Sequence, residues 1–207
     1  MHPQALRTFD DLFARYVVPN DPRNGSGEGR LVYDVGCFDP GENYKKRLER
    51  AGWHYCGLDV EAGPNVDIII PPQPFDGFLR LVDVVELNPE LDPLTHFAFE
   101  QSTGFFPRTS AKRADLVISG QCLEHVEDPF MFACNIEALL NVGGIAIVQT
   151  HAHWPEHRRP VDCWRFYPDG LRVLGERNGL TVLAVGTSPS RNHEGTDCLD
   201  SWAVYQR

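Results

Sequence analysis

Apolar residues recur at helical spacing near the start of the chain, at Leu6, Phe9, Leu12, Phe13, Tyr16 and Val17, and predict an amphipathic helix that ends before Pro19. A polar, glycine-rich link over 20–29 follows. The pattern then changes to short apolar runs. Leu31 to Val35 reads as a first strand, Glu42 to Arg50 as a helix closed by Gly52, and His54 to Val60 as a second strand. Val66 to Ile70 reads as a third strand, stopped by Pro71 and Pro72. Ala114 to Ser119 is the fourth strand and Pro129 to Leu140 a helix, with Gly143 and Gly144 turning into a fifth strand at Ile145 to Thr150. Pro168 to Arg177 is a last helix, and Leu180 to Gly186 with Ser201 to Gln206 form a closing strand pair. Such alternation of strand and helix is the mark of a doubly wound, mostly parallel α/β sheet. One stretch breaks the rhythm. Residues 74–113 fill the place of one helix and a short loop, yet carry the apolar run Phe78 to Leu87 and the aromatic segment His96 to Phe106, and they predict a helix with an ordered lid.

At 207 residues the chain is one domain by length, with 1–29 as N-terminal helix and linker and 30–207 as the sheet domain. A net charge of -10 argues against a nucleic-acid partner, because binding to a phosphate backbone needs clustered Lys and Arg. Met1 to Val18 has no long apolar core and includes Asp10, Asp11 and Arg15, so neither a signal peptide nor a membrane span is expected there, and a cytoplasmic location is. Cys37, Cys56, Cys122, Cys134, Cys163 and Cys198 form no CxxC pair, and read as free thiols in a reducing compartment.

The chemistry begins at the first strand. Leu31-Val-Tyr-Asp-Val-Gly-Cys-Phe-Asp-Pro-Gly41 is an apolar strand that stops at an acid and a glycine, and Gly57-Leu-Asp-Val60 ends a second strand in Asp59. That is the layout of a nucleoside-binding sheet. Asp39 reads as the N-cap of the following helix, with Pro40 in its first position and Glu42 closing a capping box. Two carboxylates at a helix start repel a pyrophosphate, which disfavours a nicotinamide or flavin dinucleotide. S-adenosylmethionine carries an ammonium and a sulfonium and no phosphate, so an acidic turn suits it. Asp59, roughly 20 residues beyond Gly36, is placed to accept both ribose hydroxyls.

The run Asp115-Leu-Val-Ile-Ser-Gly-Gln-Cys-Leu-Glu-His-Val-Glu-Asp-Pro129, followed by Ile136 to Gly144, resembles the class I S-adenosylmethionine-dependent methyltransferases of the type 11 group. Pro155-Glu-His-Arg-Arg-Pro-Val-Asp-Cys-Trp-Arg-Phe-Tyr-Pro-Asp-Gly170 resembles a subgroup associated with glycan or natural-product biosynthesis. The resemblance implies a Rossmann-like seven-stranded sheet with a reversed last hairpin. It implies cofactor contacts at Asp34, Gly36, Cys37 and Gly41, ribose contacts at Asp59 beside Val60, and methionine or adenine contacts at Gly120, Gln121, Cys122 and Leu123. Phe38 stands where many members carry glycine, so a side chain there is expected to narrow the cofactor turn.

Methyl transfer to a hydroxyl also needs a base, and the histidines after the fifth strand are the candidates, His157 first and His151 second, with Asp162 as a third possibility. His-x-His spacing at His151 and His153 invites a metal reading, but no carboxylate-rich pocket or cysteine pair completes a ligand set, and no metal is expected. Glu124 and His125 follow the fourth strand, where they either meet the acceptor or pair with Arg158 or Arg159. His153, Trp164 and Arg165 are expected to line the acceptor pocket, although Asp162 and Arg165 alternatively pair with each other and fix their loop. The expected reaction transfers a methyl from S-adenosylmethionine to a hydroxyl of a small-molecule acceptor, a sugar, glycan precursor or natural product, leaving S-adenosylhomocysteine. The alternatives are a non-catalytic S-adenosylmethionine-binding protein, a nicotinamide-dependent oxidoreductase and a metal hydrolase. Sequence leaves the oligomeric state open.

Overall fold

The computed structural model describes residues 2–20, 29–39, 43–70 and 113–207. The described strands form one sheet in the order β3-β2-β1-β4-β5-β7-β6. Strands β1 (Leu31–Val35), β2 (His54–Asp59), β3 (Ile68–Ile69), β4 (Ala114–Gly120) and β5 (Leu140–His153) run parallel. Strands β7 (Asp197–Gln206) and β6 (Thr181–Arg191) close the sheet antiparallel. The expected doubly wound fold with a reversed C-terminal hairpin is therefore the observed one.

Helices cover both faces, and each seals its own apolar layer. On one face α1 (Pro3–Leu12) and α2 (Tyr44–Arg50) bring Leu6, Phe9, Tyr44 and Leu48 against Val32, Leu116, Ile118 and Ile147. On the other, α3 (Pro129–Leu139) and α4 (Pro168–Arg177) bring Phe132, Ile136, Leu171 and Leu174 against Val117, Val148 and Tyr205. Full burial of each such side chain contributes about 1.5–3 kcal/mol, which is why both faces of the central strands are apolar.

Several boundaries differ from the sequence expectation for identifiable reasons. The first helix does not stop before Pro19: a π turn at Phe13–Val17 and a 3₁₀ turn at Val18–Asn20 extend it. Helix α2 begins at Tyr44 with Asn43 as its N-cap, so Asp39 does not cap it. Pro40, Gly41 and Glu42 lie outside the described residues, as does the expected lid over 74–113 apart from Arg113. Strand β3 is only Ile68–Ile69, because the Asp67 carboxylate, rather than a ladder carbonyl, accepts the Gly57 N–H at 2.8 Å. Gly57 permits this close approach, since a Cβ there would lie 1.9 Å from the Asn65 carbonyl oxygen.

Strand β5 shows the most consequential difference. It continues past Thr150 to His153, and His151 sits in the strand directly across from Asp200 of β7. A bulge between His151 and His153 ends the regular pairing there.

Candidate active site

Parallel strands deliver their loops to one edge, and the carboxyl ends of β1, β2, β4 and β5 gather the functional side chains there. Gly36 follows β1 at φ 78°, a left-handed conformation that glycine adopts without strain. A Cβ at Gly36 would lie 2.5 Å from both Cβ and Sγ of Cys122, so the turn after β1 packs directly on the segment after β4. Cys37 is buried with Sγ 3.4 Å from the Asn65 carbonyl oxygen. Burial pushes the Cys37 and Cys122 thiols well above their ordinary range, which makes them packing groups rather than nucleophiles. All six cysteines are free.

Asp59 ends β2 with its carboxylate turned toward the Gly36 turn. Its Oδ2 accepts the Phe38 N–H at 2.8 Å, and its Oδ1 accepts the Val60 N–H at 2.7 Å. Oδ1 also accepts the Glu61 N–H at 3.3 Å, and Oδ2 keeps a further lone pair for a hydroxyl donor. The Phe38 ring lies over Gly63, where a Cβ would come within 2.0 Å of Cε2. Phe38 and Val60 remain partly exposed beside the carboxylate. An apolar patch around a carboxylate matches a purine and its ribose diol.

Asp34 is buried and accepts the Tyr55 hydroxyl at 2.6 Å. Burial outweighs that hydrogen bond and pushes its carboxyl up to about 7. A carboxyl raised this way stabilises the fold fully below its unfolded value of 3.8, and that contribution is lost as pH rises through 7. Asp34→Asn keeps the shape and removes the titration. The wild type is therefore expected to lose roughly 2–3 kcal/mol relative to this variant between pH 5 and pH 8. Chemical denaturation across that range checks it, and parallel pH profiles would refute the burial account.

The histidine candidates separate into a cluster and an outlier. His151 is buried, with Nδ1 2.9 Å from Asp200 Oδ1 and Nε2 3.1 Å from Glu124 Oε1. Glu124 is wholly buried and its Oε2 accepts the Thr150 hydroxyl at 2.7 Å. Its Oε1, although close to His151, is out of alignment for a hydrogen bond and has no partner. His157 packs edge-on against His151 and His125, at ring separations of 5.2 and 4.8 Å. Burial lowers its pKa from 6.5, with His151 and His125 adding to the effect. His153 is exposed on the far side of the bulge and outside this cluster.

The loop carrying His157 is pinned from two sides. Cys163 and Trp164 donate their backbone N–H groups to the Glu124 carbonyl, and the Trp164 indole donates to Val126. Asp162 and Arg165 pair with each other, with Arg165 also donating to the carbonyls of Trp154 and Pro155. The Arg165 guanidinium holds the Asp162 carboxyl well below the usual carboxylate range. That makes Asp162 a weak base, and its Oδ2 instead accepts the His157 backbone N–H at 2.7 Å. Among the described residues Glu124 and His125 pair with neither Arg158 nor Arg159: Arg158 goes to Glu156, and His125 Nδ1 lies 2.6 Å from the Val161 carbonyl oxygen.

Two residues of the site went unread in the sequence. His2 caps α1 through Nδ1 and places Nε2 3.0 Å from Asp200 Oδ2, so Asp200 bridges His2 and His151. The Trp154 indole stacks on both imidazoles, at 5.2 and 4.1 Å. Asp200 did leave a signal, an acid on the strand face that also carries Cys198, Trp202 and Val204. His2 left none. Gln121, at φ 56°, places its side-chain amide 2.8 Å from His2 Nε2, so the β4 segment packs against the N-terminus.

A family model described as a methyltransferase domain matches residues 10–185. No curated protein matches in sequence. Among solved structures, an N-methyltransferase from Bradyrhizobium japonicum in complex with S-adenosylhomocysteine is similar at 14% identity and TM-score 0.56, over 100% of this chain and 88% of that one. The magnesium protoporphyrin IX methyltransferase from Synechocystis with bound S-adenosylmethionine is similar at 17% identity and TM-score 0.53, over 97% and 78%. A SAM-dependent methyltransferase from Methanosarcina mazei is similar at 10% identity and TM-score 0.54, over 87% and 93%. At these identities the likeness is one of fold.

Proposed function

Because the chain belongs to the methyltransferase domain family, we propose that it transfers a methyl group from S-adenosylmethionine to a hydroxyl of a small-molecule acceptor such as a sugar, glycan precursor or natural product. The observation that carries this reading is the pairing at one sheet edge of a glycine turn facing the Asp59 carboxylate with a histidine cluster at the end of the neighbouring strands. The residues present fit the cofactor: a carboxylate flanked by apolar Phe38 and Val60 for the nucleoside, and Asp34 beneath the turn. A cation held near Asp34 would favour its ionised form, which burial alone disfavours.

The bound cofactor supplies a methyl group already activated by a sulfonium. The chain's part is alignment and exclusion of water. Asp59 accepts the ribose hydroxyls, and Gly36 lets the backbone come close. His157 takes the acceptor's proton: its Nδ1 lies 3.2 Å from the Pro155 carbonyl, an anchor that leaves Nε2 free, and its lowered pKa keeps it neutral near pH 7. His151, Glu124, His125 and Trp164 border the same space. The net charge of -10 supports a small acceptor over a nucleic acid. Among the described residues no helix is long and apolar enough to cross a membrane.

The test measures S-adenosylhomocysteine released with a panel of hydroxyl and amine acceptors, alongside calorimetry of S-adenosylmethionine and NADH. Binding of the former with turnover on a hydroxyl acceptor supports the proposal. Binding without product from any acceptor would favour a non-catalytic binding protein, and preference for NADH would overturn the cofactor.

A further inference from the structure

We propose that Glu124, His151 and His157, with His125 beside them, form a binding site for one divalent transition-metal ion such as zinc. Glu124 Oε1 is a wholly buried carboxylate oxygen with no hydrogen bond. A buried polar oxygen left without a partner is costly, and it marks a missing cation or donor. Imidazole nitrogens surround it. His151 Nε2 lies at 3.1 Å and His125 Nε2 at 4.0 Å, and ligand atoms of Glu124, His151 and His157 all fall within 4.8 Å of one another. Two donors about 2.1 Å from a common ion stand roughly 3.0 to 3.4 Å apart, so Glu124 and His151 are already at coordinating separation.

The histidines are also set in the tautomer a metal needs. His151 Nδ1 faces Asp200, His125 Nδ1 faces the Val161 carbonyl, and His157 Nδ1 faces the Pro155 carbonyl. Each acceptor takes an Nδ1–H and leaves the Nε2 lone pair free. A carboxylate or carbonyl behind the ligating imidazole is the usual support of a metal-bound histidine. The rings of His125 and His151 both stand nearly perpendicular to that of His157, at 81° and 71°, as rings radiating from one point do. Thr150 holds the second Glu124 oxygen. The other buried cluster, His2, His151 and Asp200, is less suited, because both Asp200 oxygens are already engaged by the two imidazoles.

Sequence pointed away from a metal because no carboxylate-rich pocket or cysteine pair completes a ligand set with the loop histidines. The fold supplies one from the segment after β4. Nitrogen and carboxylate donors without thiolate suit zinc and its first-row neighbours better than magnesium or calcium. Metal uptake is independent of the methyl-transfer reading. Only its consequence rests on that reading: an ion here would occupy the His157 Nε2 lone pair and activate the acceptor hydroxyl itself, in place of the imidazole acting as base.

The experiment uses the full chain, treated with chelator and freed of it, titrated with Co²⁺ and then Zn²⁺ in the absence of cofactor and acceptor. Expected is one equivalent of Co²⁺ with visible absorption of nitrogen and oxygen ligation, displaced by Zn²⁺. His157→Ala, whose side chain is partly exposed, should keep its fold by circular dichroism and weaken binding by more than about tenfold, and Asp200→Asn by about 10- to 100-fold. His54→Ala, an exposed histidine on the opposite sheet edge, should bind as the wild type does. No uptake by the folded wild type, or affinity that His157→Ala leaves unchanged, overturns the site. Calorimetry of S-adenosylmethionine on the same samples reports separately on the cofactor reading.

Discussion

His157→Ala is expected to lower turnover by about 10²- to 10⁴-fold while leaving S-adenosylmethionine affinity nearly unchanged, the range a positioned general base contributes. The imidazole stands between His125 and His151, its backbone is held by Asp162, and none of its contacts reaches the Asp59 turn. Its lowered pKa adds a second signature. Turnover should fall toward acid through a value below 6.5, because the base is lost only when the imidazole is protonated. Single-turnover rates across pH with an accepted substrate measure both. Near-normal turnover in the variant would remove His157 from the reaction, and Asp162 is no substitute while Arg165 depresses its carboxyl.

Asp59→Ala is expected to weaken S-adenosylmethionine binding by roughly 1.5 to 3 kcal/mol, about 10- to 150-fold, through loss of charge-assisted hydrogen bonds to the ribose. The same change frees the Phe38 N–H, so the turn after β1 loses its tie to β2. Asp59→Asn separates these contributions. Asparagine retains an acceptor for Phe38 but gives up the charge, and its affinity should fall between the two. Calorimetry with S-adenosylmethionine decides, and unchanged affinity in the alanine variant would rule out a ribose contact at Asp59.

The order of strands and helices was legible in the sequence because each strand of this sheet is a short apolar run whose end is marked by its own residues. Leu31–Val35 is bounded as expected, Pro168–Arg177 likewise, and Asp59 ends its strand as read. Local chemistry decides such boundaries: a glycine at positive φ, a proline in the first helical turn, an acid where burial stops. It decided less well where a partner intervened. Asp67 shortened β3, and pairing with β7 drew β5 out to His153, where the sequence placed a loop.

The site divides along the same line. Gly36 and Asp59 were legible because the turn and the acid belong to one βαβ unit, and their spacing is a property of that unit. The histidine cluster was legible only in part. Sequence proximity grouped His153 with His151 and His157, and the two-residue period of a regular strand would keep His151 and His153 on one face, but the bulge between them set His153 apart. What joined His151 to Asp200, His2 and Glu124 was strand register and the docking of α1 and the β4 segment on the sheet, contacts between residues far apart in the chain. Nothing local encodes such a contact, because it exists only when apolar burial on both faces has fixed the sheet and carried those side chains to one edge.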